Sequence, residues 1–357
     1  MASDGGFSGG CGGGGAGGGG GTAAVTGDGL AILVNANAKR GGRRVAAQLG
    51  RALPGARVRL TRTIDEIEAW LRSLAASPPR CLLAAGGDGT AIALVNALRR
   101  TLARDAPFPI VGLLPLGTGN AWAHSTGAKK LGTAVRLIAA SRSWLPTRRY
   151  GLVDCEGTLC TFAGCGWDAQ VLNDYKEQLR ASKGPARHFS KSVYGYLTAM
   201  LVRTAPKAIL LGRPHVLIEN LGDEVYTITP DRKVVKLRGV KHGSILYEGL
   251  ASVTGAATCP EFGYGFRAYP HAERLFGTIN VRVYDRKTIG AIGDIPLLWR
   301  GTHPLRGMHD WFATAVRMTF SRPMPLEIGG DAVGERRTVE YRVHERPIEM
   351  LDWRSMG

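Results

Sequence analysis

Short apolar runs and stretches of helical spacing alternate along the chain from position 29 onward. Leu30–Val34 is an unbroken apolar run ending at Asn35, the pattern of a strand buried on both faces. Helical spacing follows over 43–53 and stops at Pro54-Gly55. A second strand is predicted over 57–60. Thr63, Ile64, Asp65 and Glu66 form a capping box, which predicts a helix running to about 76. Cys81–Ala85 reads as a third strand, followed by a glycine turn and a helix over 90–102. Ile110–Leu114 reads as a fourth, again followed by a glycine turn and a helix. Alternation at this spacing predicts a parallel sheet with helices on both faces.

Past about 149 the pattern changes. The segments 151–154, 159–163, 215–219, 225–229, 233–237, 244–248 and 278–284 are short, turn-bounded and rich in β-branched or aromatic residues. They predict an antiparallel β-sandwich, interrupted by one helix over 187–203. The fold class is therefore α/β plus β. Residues 1–27 are rich in Gly, Ala, Ser and Thr and predict a disordered tail. The expected domains are 28–148, α/β and nucleotide-binding, and 149–345, the β-domain. Segment 346–357 is expected to return to the first domain.

Apolar residues make up 44% of the 357, ordinary for a globular protein. The 46 Lys+Arg against 29 Asp+Glu give a net charge of +17, which favours anionic partners. No apolar run approaches the length of about 18 residues that a spanning helix needs. The six cysteines show no zinc-ligand spacing, and no secretory signal opens the chain. A reduced, cytoplasmic setting is the expectation.

Two loops carry the candidate chemistry. Gly86-Gly87-Asp88-Gly89-Thr90 follows the third strand and enters a helix. Pro115-Leu116-Gly117-Thr118-Gly119-Asn120 does the same after the fourth. Ligands of open parallel sheets bind at the carboxyl ends of strands. Glycine there admits an anion to the backbone, and helix N-terminal amides point at it. Asp88, among phosphate-binding amides, would be repelled unless it holds Mg²⁺ or accepts a proton. There is no G-x-x-x-x-G-K-[ST] sequence, so this is not a P-loop.

These two loops resemble the signature loops of the diacylglycerol kinase catalytic domain family, which includes bacterial lipid kinases and sphingosine kinases. Val34-Asn35-Ala36-Asn37-Ala38 resembles the family's first strand and turn, with Ala36 where proline is usual. Thr63 stands near a nucleotide-contacting threonine of the family, Asn96 follows the first loop as in the family, and Gly166-Trp167-Asp168-Ala169 resembles a Gly-aromatic-Asp-Ala element. The resemblance implies ATP and Mg²⁺ as cofactors and a cleft where ATP meets a lipid. It implies nucleotide binding by Asn35, Thr63, Gly86, Gly87, Asp88, Gly89, Thr90, Gly117, Thr118, Gly119 and Asn120.

The family's Asp-Gly-Glu triplet near the C-terminus is altered here. Aligned on its central glycine, Gly329 stands at the Asp and Asp331 at the Glu. The expected catalytic acids are then Asp88, Asp331 and Glu335, with Asp88 and Asp331 as metal ligands. The alternatives are an NAD kinase-like enzyme, which shares Gly-Gly-Asp-Gly-Thr, and a non-catalytic nucleotide or lipid binder. Expected partners are a lipid substrate and an anionic membrane surface, met peripherally, with a homodimer left open. The 187–203 helix carries an apolar stripe with basic residues at its start, a pattern that suits a bilayer surface or the domain's own sheet. No nucleic-acid module occurs, and no nucleic-acid partner is expected.

Overall fold

The computed structural model describes residues 29–38, 41–103, 106–117, 119–141, 145–183, 190, 193–263, 265–302 and 306–356. The expected N-terminal tail, Thr118 and most of 184–192 lie outside them. The first sheet is built from β1 (Leu30–Asn35), β2 (Arg57–Thr61), β3 (Cys81–Gly86), β4 (Ile110–Pro115) and β5 (Thr147–Tyr150). The first four run parallel in the order β2-β1-β3-β4. Between them run α1 (Gly42–Ala52), α2 (Ile64–Ser73), α3 (Asp88–Thr101), α4 (Ala121–Ser125) and α5 (Leu131–Ala140).

Successive side chains of a strand point to opposite faces, and the cores divide accordingly. Leu30, Ile32 and Val34 pack with Val45 and Leu49 of α1 and Val135 of α5. Ala31 and Leu33 pack with Trp70 of α2 and Leu94 of α3. Burial of each such leucine contributes about 1.5–3 kcal/mol. The near-continuous apolar character of β1 and β3 is the consequence of these two covered faces.

The second sheet is antiparallel and curled, and contains β6 (Val153–Cys155), β7 (Thr158–Cys160), β8 (Phe162–Gly166), β9 (His215–Asn220), β10 (Val225–Ile228) and β11 (Val234–Lys236). It continues through β12 (Ile245–Leu250), β13 (Val253–Ala257), β14 (Ile279–Tyr284), β15 (Met308–Ala313), β16 (Ala315–Ile328) and β17 (Asp331–Val343). β8 lies between β13 and β16. The hairpin of β16 and β17 turns at Gly329-Gly330, with φ of +59° and +86°. Two positive φ values are what a two-residue hairpin matched to sheet twist requires.

The single helix expected within this sheet is corrected to several. α6 (Trp167–Ala181) follows β8 directly. α7 (Val193–Thr198), a π-helical turn (Ala199–Thr204) and α8 (Ala205–Leu211) carry the expected helix past 203. α9 (Thr288–Arg300) precedes β15. Buried Asp174 of α6 anchors the π turn and α8, accepting from Thr204 Oγ1 at 2.7 Å and Lys207 Nζ at 2.6 Å.

The last strand, β18 (Ile348–Leu351), leaves the second sheet and pairs between β4 and β5 of the first. Trp353 just beyond it is fully buried in the cluster on the α1 side. The chain end therefore forms part of the first sheet's core.

Candidate functional site

The two glycine loops touch. A side chain on Gly117 would begin 2.5 Å from the Gly87 Cα, so the backbones meet where no Cβ has room. The Gly86 carbonyl accepts from the Leu116 and Gly117 N–H groups, at 2.8 and 3.2 Å. Asn120, at φ +50°, closes the second loop on itself: its Nδ2 donates to the Gly117 carbonyl and its Oδ1 accepts from the Gly117 N–H.

Asp88 joins the loops. Its Oδ2 accepts from the Ala121 N–H at 2.9 Å and its Oδ1 from the Trp122 N–H at 3.0 Å. It opens α3 and at the same time caps α4. Burial raises its pKa, and these two amides oppose the rise. Beside it, the space over Gly89 is open. At the start of α3 the Thr90 and Ala91 N–H groups donate to the Gly87 carbonyl, which leaves the Gly89 amide beside this opening without an intrahelical acceptor.

Thr90 folds back over Gly86, and its Oγ1 accepts from Asn35 Nδ2 at 2.9 Å. Asn35 Oδ1 in turn accepts from the Asn37 N–H. The ends of β1 and β3 are thereby tied to the first glycine loop. Thr63 caps α2, with Oγ1 accepting from the Glu66 N–H at 3.2 Å and Glu66 Oε2 accepting from the Arg62 N–H. The predicted capping box forms with its return bond shifted one residue, from Thr63 to Arg62.

The C-terminal acids lie elsewhere. Asp331 is 78% exposed and pairs with Lys176 Nζ at 3.0 Å. Glu335 is exposed on β17, across from Pro325. Gly329 is seated on α3: a side chain there would begin 2.5 Å from Ile92 Cδ1, one turn beyond Asp88. Ile92 fills the place where an acid at 329 would start. Among the described residues, no three His, Cys, Asp or Glu side chains are placed to hold a metal ion.

Next to the loops lies an apolar cavity of about 270 Å³. Leu172 and Tyr175 of α6, Tyr196 of α7, Met200 of the π turn and Trp299 of α9 are among its walls. Gly263 also lines it, and a side chain on Gly263 would start 3.7 Å from the Gly119 Cα. Two carboxyls face this space, Asp168 and Glu327. Burial pushes Asp168 up to about 7, and burial followed by the neighbouring Asp168 charge holds Glu327 well above the carboxylate range. Neither was singled out as a site residue from the sequence. The signal for Glu327 was an acid inside the apolar run of β16, since unpaired acids are seldom buried.

The diacylglycerol kinase catalytic domain family matches residues 29–144, the span holding both glycine loops. That part of the chain is similar to the diacylglycerol kinase catalytic domain. A "Probable lipid kinase YegS" of Salmonella newport is 28% identical over 205 residues, 57% of this chain and 56% of that protein. The protein of the same name in Salmonella typhimurium is 26% identical over 204 residues, with the same coverage. The alignment thus spans little more than half of these curated relatives. A diacylglycerol kinase of Bacillus anthracis str. Sterne superposes with a TM-score of 0.59 at 14% identity, covering 92% of this chain and 98% of that one. The domain and the curled sheet beside it share that fold.

Proposed function

We propose that the chain is an ATP-dependent lipid kinase, moving the terminal phosphate of ATP onto the hydroxyl of an amphiphile held in the apolar cavity. The observation that carries this reading is the close approach of Gly119 to Gly263, which sets a phosphate-type loop against a wall of that cavity. Phosphoryl transfer asks of the protein mainly positioning and charge stabilisation. The nucleotide suits the residues present: the opening over Gly89 has room for phosphate oxygens, and helix-start amides favour their charge. Gly86, Gly87, Thr90, Gly117 and Asn120 shape that opening, and Thr118 belongs to the same loop. Among the described residues magnesium finds no protein-built site, because Asp88 already serves two amides and Asp331 stands apart with Lys176. No step is assigned to the ion. The acceptor class is diacylglycerol or a sphingosine-like alcohol, as the apolar walls suit acyl chains.

An anionic bilayer is the surface that would deliver this substrate. The π turn and α9, which wall the cavity, expose Val202 and Ile289, and α8, which follows the π turn, exposes Leu210 and Leu211. The chain's charge of +17 favours an anionic surface. No helix among the described residues is long and apolar enough to cross a membrane.

The test is transfer of label from γ-labelled ATP, with Mg²⁺, to a panel of lipid alcohols, resolved by thin-layer chromatography. Label on a lipid is expected. Label on NAD, or none on any lipid, would overturn the reading.

A further inference from the structure

Resting on the lipid-kinase reading, we propose that Asp168 and Glu327 act as a pair that accepts the proton of the amphiphile's hydroxyl. The pair is made by the sheet. β8 and β16 place Gly164 directly opposite Glu327, so both residues address the same face. Gly164 has no side chain, and the Asp168 carboxyl folds into the gap: a Cβ at 164 would lie 2.6 Å from Asp168 Oδ2. The two carboxyls share the space above one glycine.

Among the described residues, none forms an ion pair or a side-chain hydrogen bond with either carboxyl of the pair. Glu327 is 5% exposed and lines the cavity, and no donor among the described residues reaches its carboxyl. Asp168 Oδ1 accepts from the Ala169 N–H, while its enclosed Oδ2 has no partner. Arg282 stands in the same cross-strand row, across Gly255 from Gly164. Its Nε and Nη2 are both held by Asp310, at 2.8 Å each. The other ionisable neighbours are Lys176 and Asp331, which act on Glu327 through space, and the buried Tyr269, Cys160 and Cys165.

The remaining candidate acids do not face the cavity. Asp88 is engaged by two amides, Asp331 pairs with Lys176 outside, and Glu335 lines a separate pocket with Lys207 and Arg322. A hydroxyl seated in the cavity therefore meets Asp168 and Glu327. The Asp168 charge disfavours ionisation of Glu327, so the pair can hold one proton and leave one site open. In the step, the substrate oxygen bonds to the γ-phosphorus and the bridging P–O bond to ADP breaks. The hydroxyl proton passes to the ionised member of the pair and leaves to solvent afterwards.

The experiment is a pH profile of lipid phosphorylation by the full chain and by Asp168→Asn, Glu327→Gln and Glu327→Asp. Each amide variant should lower kcat by about 10²–10⁴-fold, with the lipid KM little changed. Glu327→Asp should restore part of the rate. In Asp168→Asn the acidic limb of kcat/KM should move, because Glu327 loses its like-charged neighbour and acts alone. Variants within about threefold of wild type, with an unmoved limb, would overturn the proposal. If one amide variant does not fold, the other and Glu327→Asp give the answer. The pair also has a readout without transfer: a protonated-carboxyl infrared band, absent in Glu327→Gln, that shifts on adding a long-chain alcohol but not the matching alkane. If wild type labels no lipid, the kinase reading fails. A shifting band would then uphold hydroxyl binding at the pair, and an unmoved band would overturn it.

Discussion

Asn96 hydrogen-bonds the backbone of Leu159 in both directions, its Nδ2 donating to the carbonyl at 2.7 Å and its Oδ1 accepting from the N–H at 2.9 Å. A side chain of α3 thus takes the place of a neighbouring strand along β7. Arg99 Nη1 adds a bond to Asp154 Oδ2 at 2.8 Å, so α3 is held between the two sheets. The helix that carries Asp88 at its start is fixed against the sheet that carries the cavity.

Asn96→Ala should therefore destabilise the protein by about 3 kcal/mol, since it orphans a buried N–H and a buried carbonyl at once. Chemical denaturation with unchanged m-value would measure this. A loss below about 0.5 kcal/mol would contradict the role.

The glycine loops separate space from contact. Gly117→Ala must force apart backbones that touch at Gly87, lowering both Tm and nucleotide affinity. Gly89→Ala meets open space in the protein alone and should leave Tm near wild type. It should still weaken nucleotide binding by about tenfold or more, because the methyl group enters the phosphate's place. Calorimetry on both variants checks the pair, and undiminished binding by Gly89→Ala would move the phosphates elsewhere.

Asp88, Asp168 and Glu327 are all held above the ordinary carboxylate range by burial. The folded state then binds protons more tightly than the unfolded one. The stability these groups contribute is complete below their unfolded pKa of about 4 and is lost as pH rises through the folded values. For Asp168 that value is about 7. Asp168→Asn removes its share of this loss. The Tm advantage of the variant over wild type should widen between about pH 5 and pH 8. A gap that narrows over that interval would contradict the assignment.

Leu210→Asp and Val202→Asp place charge on exposed apolar positions, 87% and 68% accessible, and should leave folding intact. Both should reduce co-sedimentation with vesicles containing phosphatidylserine. Turnover of a lipid dispersed in detergent should change little. Unaltered vesicle binding would remove this face from the docking surface.

Much of this was legible in the sequence, for physical reasons. Strands β1 and β3 are covered on both faces and so appear as unbroken apolar runs. Their glycine turns mark where backbone meets backbone. α6 was hidden because its first residues, Trp167, Asp168 and Ala169, directly follow the glycines of β8. α9 was hidden by Gly290, Gly293 and Pro296, which break helical spacing although the helix persists through them. The pairing of Asp168 with Glu327 depends on β8 lying beside β16, a long-range register that local patterning does not encode. The turn at Gly329-Gly330 was visible, but the occupation of its flank by Ile92 required the packed structure.

On this reading the two touching glycine loops grip a triphosphate beside the apolar cavity. A crystal structure with a non-hydrolysable ATP analogue tests it most directly. The account predicts phosphate density over Gly89, between the start of α3 and Gly119, with the terminal phosphate toward Gly263. Phosphates bound away from both loops, or that opening closed by side chains, would contradict it.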